Sequence, residues 1–413
     1  MTVIQGANKQ LLEIFRLPNG LARVFMDMGE VKPDENLMKT VQSLTVEDLS
    51  EIAAKRVYPA SFKVKSASWI SGFRVNERRA ESFIYKNRIF LTGDAAHIHS
   101  PSGGLGLNTG IQDANNLAWK FGLVHYGLAS EMILTTYSER EAVADTSIFN
   151  SNSVLEVCRS NDWISLLTKR IMFSIVPYLL PILKVFNIPL RDTGMLNFHY
   201  AKNAINKVHE RQPLPAKAFQ VGNRAADGLL RSVNPRNQLV LPIETQTDTP
   251  KNNATPDILR LHHLTTGVGY FHIIVFAGNA LSSKNQGATE LLANLKKHFD
   301  SWNNRWNYKS DADKERALDR GLFKIHTIAR YQIASKGVEE SIDQFTKLAS
   351  DKGNVLEDED GTVHKRYGFS GKHQNGIVVV RPDYYIGYRV QGHDQAAWSD
   401  VDRYLSSVLS VTE

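Results

Sequence analysis

The 413-residue sequence contains a single cysteine, Cys158, and this scarcity limits its chemistry. One thiol excludes an internal disulfide and any Cys-x-x-Cys redox or metal site within one chain. Because a free cysteine behaves as a small apolar residue, Cys158 is predicted to be buried. The first ten residues, MTVIQGANKQ, lack the charged and then apolar pattern of a secretory signal. Together these absences predict a cytoplasmic protein.

Long runs of one charge are also absent. The net charge is +6, from 49 Lys and Arg and 43 Asp and Glu, but the basic residues are spread along the chain, which argues against nucleic-acid binding. The apolar run at 171–190 raises the question of a membrane span. Prolines and Lys184 interrupt it, so buried helices are favoured over contact with a membrane interface.

The hydrophobic content of 42% and charged content of 22% are typical of a globular chain with two or three domains. Residues 1–90 read as strands with one short helix. A strand is predicted within 61–73, and a helix over 45–57 begins with Thr45 as N-cap and Asp48 three residues later.

Residues 91–230 read as mostly helical. The Pro-, Asn- and Thr-rich segment 232–257 is predicted to be a linker, which leaves domains at 1–231 and 258–413. The second of these alternates helices and strands, which indicates a layered structure. The predicted fold class is therefore mixed α/β.

The glycine-rich segment GDAAHIHSPSGGLGLNTG (93–110) follows an apolar run, Ile89–Leu91, and precedes a helical pattern. The Lys followed by Ser or Thr that marks a nucleoside-triphosphate loop is absent, which disfavours triphosphate hydrolysis. A strand, a glycine turn and a helix start present free backbone N–H groups and the positive end of a helix dipole. The pattern therefore predicts a site for an electron-rich group.

Three glycines of this loop, Gly103, Gly104 and Gly106, allow a flat ligand to approach the backbone without a Cβ in the way. Asp94 follows the strand end directly. Its carboxylate could accept hydrogen bonds from ligand hydroxyls or could cap the following turn, and the local pattern leaves both interpretations open.

The helix after the loop carries apolar residues at three- and four-residue spacing, which predicts one buried face. The predicted face consists of Ile111, Ala114, Leu117, Ala118 and Phe121.

The histidines His97 and His99 lie close together in this segment, but no carboxylate triad is nearby. A metal site is therefore not predicted.

The segment GDAAHIHSPSGGLGLNTGIQDANNLAWK closely resembles the second FAD-binding motif of the flavin-dependent aromatic hydroxylases, the p-hydroxybenzoate hydroxylase-like group, in its phenol hydroxylase-like branch. The segments TYSEREAVA (136–144), GNRAADGLL (222–230) and VVVRPDYYIGYRV (378–390) resemble further motifs of that branch, with Ala142 and Ala226 where proline is usual. The resemblance extends from about Leu17 to the end of the chain.

This resemblance implies a partial p-hydroxybenzoate hydroxylase-like FAD and substrate domain at 1–231, followed by a thioredoxin-like domain at 258–413. It also implies the reaction, in which NAD(P)H reduces FAD and the reduced flavin uses oxygen to hydroxylate a phenol-like aromatic substrate. No protein nucleophile is needed, so no catalytic residue is predicted. A homodimer contacted partly through residues 258–413 is expected, because cysteine is absent after the first strand of that domain and thiol exchange is thereby excluded.

In the family, Gly93 and Asp94 would meet the ribityl chain of FAD, and the loop would lie beside the flavin ring with its N–H groups toward the edge that becomes anionic on reduction. The residues implied for the loop contact are Pro101, Gly103, Gly104, Leu105, Gly106, Leu107 and Asn108. Leu105 stands where the family usually has Gln, which removes one polar contact with the ring.

Three residues before the motif, Trp69, Phe73 and Arg74, are candidates for the substrate side. Phe73 lies near the place where several phenol-hydroxylating relatives carry a tyrosine. The alternative for these side chains is packing in a strand core.

Family members begin with a Gly-x-Gly-x-x-Gly segment that holds the FAD pyrophosphate, and residues 1–90 show no such spacing. The sequence therefore predicts an N-terminally truncated member whose activity is in doubt. The competing interpretation is a non-catalytic remnant that serves as a binding or dimerising module.

Overall fold

The computed structural model describes most of the chain, in separate ranges of residues. The chain divides into two compact units. The described residues are 2–5, 10–29, 37–101, 104–160, 162–164, 167, 171, 198–209, 219–233, 258–265, 269–279, 287–306, 321–330, 353–371 and 373–409. Unit 1 comprises 1–81, 93–110 and 143–195, and unit 2 comprises 82–92, 111–142 and 196–413. Gly103, residues 172–190 of the apolar run and residues 234–257 of the predicted linker lie outside the described residues.

Unit 1 contains a three-stranded antiparallel sheet of β1 (Thr2–Gln5), β2 (Leu11–Arg16) and β3 (Ala22–Met26), in that order. After helix α1 (Leu37–Gln42), helix α2 (Val46–Val57) packs on this sheet. The small core between them consists of Leu12, Ala53 and Val57 with partly buried Ile4, Ile14, Val24, Met26 and Phe62.

The predicted start of α2 is confirmed. The Thr45 hydroxyl accepts from the Asp48 backbone N–H at 3.2 Å, and the Asp48 carboxylate accepts from the Thr45 N–H at 2.8 Å. This reciprocal capping box satisfies two helix-end donors.

The strand predicted within 61–73 is wrong, because this segment forms no β-ladder. Most of its side chains are exposed, so it lacks the buried face that stabilises a strand in a sheet.

Two pairs of short strands lie close to the glycine-rich segment in the sequence. In unit 1, β4 (Arg78–Arg79) pairs with β7 (His97–Ile98), and a single 3₁₀ turn spans Gly93–Ala95. In unit 2, β5 (Ile84–Tyr85) pairs with β6 (Ile89–Phe90).

Two long helices come next in the chain, and the first begins inside the glycine-rich segment. Helix α3 spans Gly106–His125, and helix α4 spans Glu139–Arg159 after a 3₁₀ segment at Glu131–Ser138. This agrees with the helices predicted after the loop. Within the described residues, no helix is both long and apolar enough to cross a membrane.

A seven-stranded mixed sheet forms the centre of unit 2, in the order β14-β13-β10-β11-β12-β8-β9. Its strands are β8 (Leu229–Ser232), β9 (Ile258–Arg260), β10 (Phe271–Asn279), β11 (Phe323–Arg330), β12 (Asn354–Glu357), β13 (Asn375–Val380) and β14 (Ile386–Gln391). Strands β10, β11 and β12 are parallel, whereas β13 and β14 are antiparallel to their neighbours. The four strands predicted in residues 270–390 are confirmed.

Both faces of this sheet are covered, as the nearly continuous apolar strands require. Helices α6 (Gly287–Arg305) and α8 (Gln395–Val408) bury one face in a core that includes Ile273, Ile377 and Trp398. The short helices α5 (Leu261–Thr265) and α7 (Thr362–Arg366) cover the other, around Phe276.

Candidate functional site

The glycine-rich segment in unit 1 forms an open backbone surface at the start of α3. Gly93 adopts a φ of +56°, and a Cβ added at Gly110 would lie 3.3 Å from the Gly93 Cα, so the two backbones approach closely. Gly104 has a φ of +64° and no heavy atom within 4 Å of its Cβ position. The segment therefore needs glycine for its conformation and leaves its backbone uncovered.

The predicted contact residues of this surface differ in exposure. Asp94, Pro101, Gly104, Leu107 and Asn108 are exposed.

Gly106 is half-buried, and Leu105 is buried with 6% of its surface exposed. The side chain that replaces the family's usual glutamine thus points into the protein, as an apolar residue should.

The first turn of α3 begins at Gly106 and includes Leu107 and Asn108. Its leading N–H groups have no intrahelical acceptor, and they concentrate the positive end of the helix dipole. The surface can therefore donate hydrogen bonds to an electron-rich edge of a flat ligand.

The two histidines of the segment make local contacts in unit 1. Their ring centroids lie 6.0 Å apart and the rings are stacked. His97 is buried, and the His99 Nδ1 lies 3.2 Å from the Ser100 carbonyl oxygen.

The predicted substrate-side residues lie in the irregular segment of unit 1 and are exposed. Trp69 is 75% exposed and Phe73 is 57% exposed, while Arg74 is also exposed. Phe73 contacts Phe25 edge-on at 6.1 Å between ring centroids. The alternative interpretation, packing in a strand core, does not describe these side chains.

A cluster of charged side chains lies buried in unit 2, and sequence reasoning missed it. We call this cluster the buried ion network, and it consists of Asn116, Lys120, Glu139, Asn203, Asn206, Arg381 and Asp383. The Arg381 guanidinium donates to Glu139 at 2.8 Å and, from Nε, to Asp383 at 2.9 Å. The Lys120 ammonium donates to Glu139 at 3.1 Å. Two cations thus face two carboxylates, and the network is neutral as a whole.

The amides of the network complete the hydrogen bonding. Asn116 donates to Glu139 at 2.8 Å and to Asp383 at 2.9 Å, and its own oxygen accepts from Lys120 at 2.7 Å. Asn203 and Asn206 donate to the second Glu139 oxygen at 2.9 and 3.1 Å. Full satisfaction of this kind is what a buried polar cluster requires.

Burial and the neighbouring charges act against each other on these groups. Burial lowers the pKa of Lys120 to about 8, although the adjacent Glu139 carboxylate opposes the shift. Burial also disfavours ionised Glu139, but the Arg381 and Lys120 charges prevail and lower its pKa. The carboxylate therefore stays ionised at neutral pH.

A second buried ion pair lies beside the network. The Arg140 Nε donates to Asp113 at 2.6 Å, and its Nη1 donates to the Tyr200 hydroxyl at 2.9 Å. The backbone of Gly222 packs closely against that of Tyr200, since a Cβ at Gly222 would lie 2.1 Å from the Tyr200 carbonyl oxygen. Gly222, the first glycine of the GNRAADGLL segment, is thus required by close backbone packing.

The acidic residue of that segment also has a structural role. Asp227 accepts from Arg260 at 2.7 Å and from the His262 backbone N–H at 3.1 Å. These bonds join the segment to β9 and the start of α5.

The buried face predicted for α3 is wrong for four of its five residues, because only Leu117, at 6% exposure, is buried. Ile111 is 58% exposed and Phe121 is 42% exposed, whereas Asp113, Asn116 and Lys120 are each at most 1% exposed. The helix turns this polar stripe inward because its partners are the charged groups at 139–140 and 381–383. Three polar residues at positions i, i+3 and i+7 were the signal that sequence reasoning passed over.

Comparisons with known proteins match both halves of the chain. A family model described as FAD binding domain matches residues 25–151, and one described as phenol hydroxylase, C-terminal dimerisation domain, matches residues 252–413. The 3-hydroxybenzoate 4-monooxygenase of Comamonas testosteroni is 26% identical over 419 residues, covering 96% of this chain and 60% of that protein. The FAD-dependent monooxygenase hkm7 of Aspergillus hancockii is 32% identical over 157 residues, 38% of this chain and 29% of that protein.

Solved structures show the same fold. The flavin-dependent monooxygenase PieE, crystallised with FAD and substrate, aligns with a TM-score of 0.57 at 17% identity, covering 97% of this chain and 61% of that one. The chain spans at most 61% of the length of the proteins named above. The chain is thus similar to FAD-dependent aromatic hydroxylases in two separate regions, residues 25–151 to an FAD binding domain and residues 252–413 to a phenol hydroxylase C-terminal dimerisation domain.

Proposed function

We propose that the chain acts in an FAD-dependent monooxygenase that hydroxylates a phenol-like aromatic compound with NAD(P)H and oxygen in the cytoplasm. The observation that carries the proposal is the open glycine surface at the start of α3, with the exposed Asp94 carboxylate on the same segment. The names of the relatives are consistent with it.

The residues present fit a flavin. Gly104 offers uncovered backbone at a positive φ, so a flat ring can approach it. The carboxylate of Asp94 is exposed and can accept from ribityl hydroxyls. When bound, FAD supplies the redox chemistry and the activation of oxygen.

Each loop residue then has a definite task. The N–H groups of the first α3 turn hold and orient the electron-rich edge of the ring, while Asp94 orients the ribityl chain. Leu105, directed inward, contributes packing only. Trp69, Phe73 and Arg74 form the substrate side, where the exposed rings would pack against an aromatic substrate and the Arg74 cation would attract a phenolate.

Flavin fragments test this assignment, because they separate the ribityl chain from the ring. Riboflavin carries the ribityl hydroxyls and lumiflavin lacks them. We expect Asp94→Ala to weaken riboflavin binding by about 1 to 3 kcal/mol, the scale of a charge-assisted hydrogen bond, and to leave lumiflavin binding unchanged. Fluorescence titration of the purified 413-residue chain measures both dissociation constants.

The matched control is Glu81→Ala, which removes the same charge from an exposed position of unit 1 outside the loop. If Asp94→Ala weakens both flavins equally, Asp94 does not contact the ribityl chain. If neither flavin binds the unaltered chain, the result favours a non-catalytic binding or dimerising module.

We further propose that residues 258–413 form a thioredoxin-like domain that mediates homodimerisation. The support is the order of elements: a parallel β10-α6-β11 unit, then the antiparallel pair β13 and β14, then α8. The match to a dimerisation domain over residues 252–413 is consistent with self-association.

Light scattering tests this proposal directly. We expect the mass of a dimer, about twice 46.4 kDa, at tens of micromolar protein. A monomer mass at that concentration would contradict the proposal.

A further inference from the structure

Within the part of the chain that the structure describes, Arg389 on strand β14 is a buried cation without a counter-charge. The residue is 3% exposed. Its Nε, Nη1 and Nη2 atoms are all buried, and none of them has a hydrogen-bond partner among the described residues. Burial alone lowers its pKa to about 10, and no carboxylate opposes the shift, so the guanidinium remains charged at neutral pH.

This state contrasts with that of the other buried arginines discussed above. Arg381 and Arg140 are equally buried, yet each has a carboxylate within hydrogen-bonding distance. A desolvated guanidinium with unused donors is highly unfavourable, so buried arginines are normally paired. The missing partner is therefore the feature that needs an explanation.

The surroundings of Arg389 form a defined platform. Its guanidinium carbon lies 4.5 Å from the centroid of the Phe369 ring, and Phe369 packs on Phe276 at 4.6 Å. Gly376 on the neighbouring strand permits this arrangement, because a Cβ there would lie 2.1 Å from the Phe369 ring. Aromatic contact covers a face of the guanidinium and leaves its N–H groups, which lie in its plane, directed to the side.

A planar fork of N–H donors matches the two oxygens of a carboxylate or phosphate group. We propose that Arg389 forms an oxyanion-binding site on the face of the sheet covered by α5 and α7. Its guanidinium would bind a carboxylate or phosphate group. The site is independent of the proposed flavin function, since none of the loop residues takes part in it. The oxyanion comes either from a small solute or from a second copy of the chain.

Thermal unfolding at constant ionic strength tests the proposal, with sodium phosphate or sodium acetate exchanged against sodium chloride. We expect phosphate at roughly ten times its dissociation constant to raise the melting temperature of the wild-type chain by about 3 °C or more. Arg389→Met, which keeps an unbranched apolar stem and removes the guanidinium, should abolish the rise. Arg389→Lys should retain only part of it, because an ammonium lacks the planar fork.

The matched control is Arg403→Met, since the Arg403 side chain is 77% exposed and pairs with Asp400. This variant should keep the full phosphate effect. If the oxyanion comes from a second copy, the melting temperature of the wild type should instead rise with protein concentration, and Arg389→Met should remove that dependence.

The proposal is overturned if the wild type responds to neither oxyanions nor protein concentration. It is also overturned if Arg389→Met and Arg403→Met keep the same response. The wild-type measurements decide the first point even if an Arg389 variant fails to fold.

Discussion

The glycine surface at 93–108 and the buried ion network place their charged residues in opposite environments. Asp94 is exposed at the surface, with glycine backbone beside it. Glu139 lies with 5% of its side chain exposed and is held by Lys120 and Arg381. Both acids belong to segments that resemble family motifs, so resemblance by itself does not distinguish a ligand-binding acid from one that stabilises the fold.

The largest expected effect comes from breaking the buried side of this comparison. Glu139→Gln removes the carboxylate shared by Lys120 and Arg381 and leaves an uncompensated buried charge. We expect it to lower the free energy of unfolding by about 3 to 5 kcal/mol. Guanidinium unfolding followed by tryptophan fluorescence measures this, because Trp119, Trp302 and Trp398 are buried in unit 2.

The control for that variant is Glu131→Gln. Glu131 pairs with Arg88 at 2.9 Å, but both side chains are more than half exposed, so we expect a change of about 0 to 1 kcal/mol. If Glu139→Gln and Glu131→Gln lowered the free energy of unfolding equally, burial of the network would make no contribution to stability.

A change of pH sharpens the same contrast between buried and exposed groups. His272 and His326 are buried neighbours, with 3.0 Å between Nδ1 and Nε2, and Asn354 donates to the other His326 nitrogen at 3.3 Å. Burial lowers the pKa of His326 to about 3, and that of His272 well below its ordinary value. Both rings therefore stay neutral in the folded protein where the unfolded chain binds protons.

This difference in proton binding sets the direction in which the free energy of unfolding changes with pH. Stability is fully present above about pH 6.5 and falls as the pH drops, by about 1.4 kcal/mol per pH unit for each histidine. Urea unfolding between pH 7 and pH 5 measures the slope. His326→Asn should reduce it, whereas His373→Asn, at an exposed position, should not.

The smallest expected effect lies on the exposed side. Asp94→Ala should change the free energy of unfolding of flavin-free protein by no more than about 0.5 kcal/mol, since surface substitutions of this kind are usually neutral. A steep fall in melting temperature would identify Asp94 as the cap of its turn, the alternative that the sequence left open.

Local patterns predicted much of the fold. The capping box at Thr45 and the strands from Phe271 to Gln391 depend on nearby residues, and both were confirmed. A helix after the glycine loop was predicted for the same reason, but α3 begins at Gly106, five residues before the predicted start at Ile111.

The buried face of α3 could not be predicted in this way. Asn116 meets Asp383 across 267 residues of sequence, and apolar periodicity contains no information about such a partner. The assumption that buried means apolar selected Ile111 and Phe121, which are exposed. Likewise, the composition of residues 61–73 favours a strand but cannot supply a neighbouring strand to pair with.

The neutrality of the buried ion network has a consequence for how such a sequence can change over time. With Lys120 and Arg381 opposite Glu139 and Asp383, any single exchange that alters charge leaves an odd buried charge, which is strongly destabilising. A descendant sequence could replace the network with apolar residues only through several coordinated substitutions, each intermediate being less stable than its parent. Glu139 of the TYSEREAVA segment and Arg381 and Asp383 of the VVVRPDYYIGYRV segment would thus be retained as a group with Lys120, even in a lineage in which hydroxylation was no longer under selection.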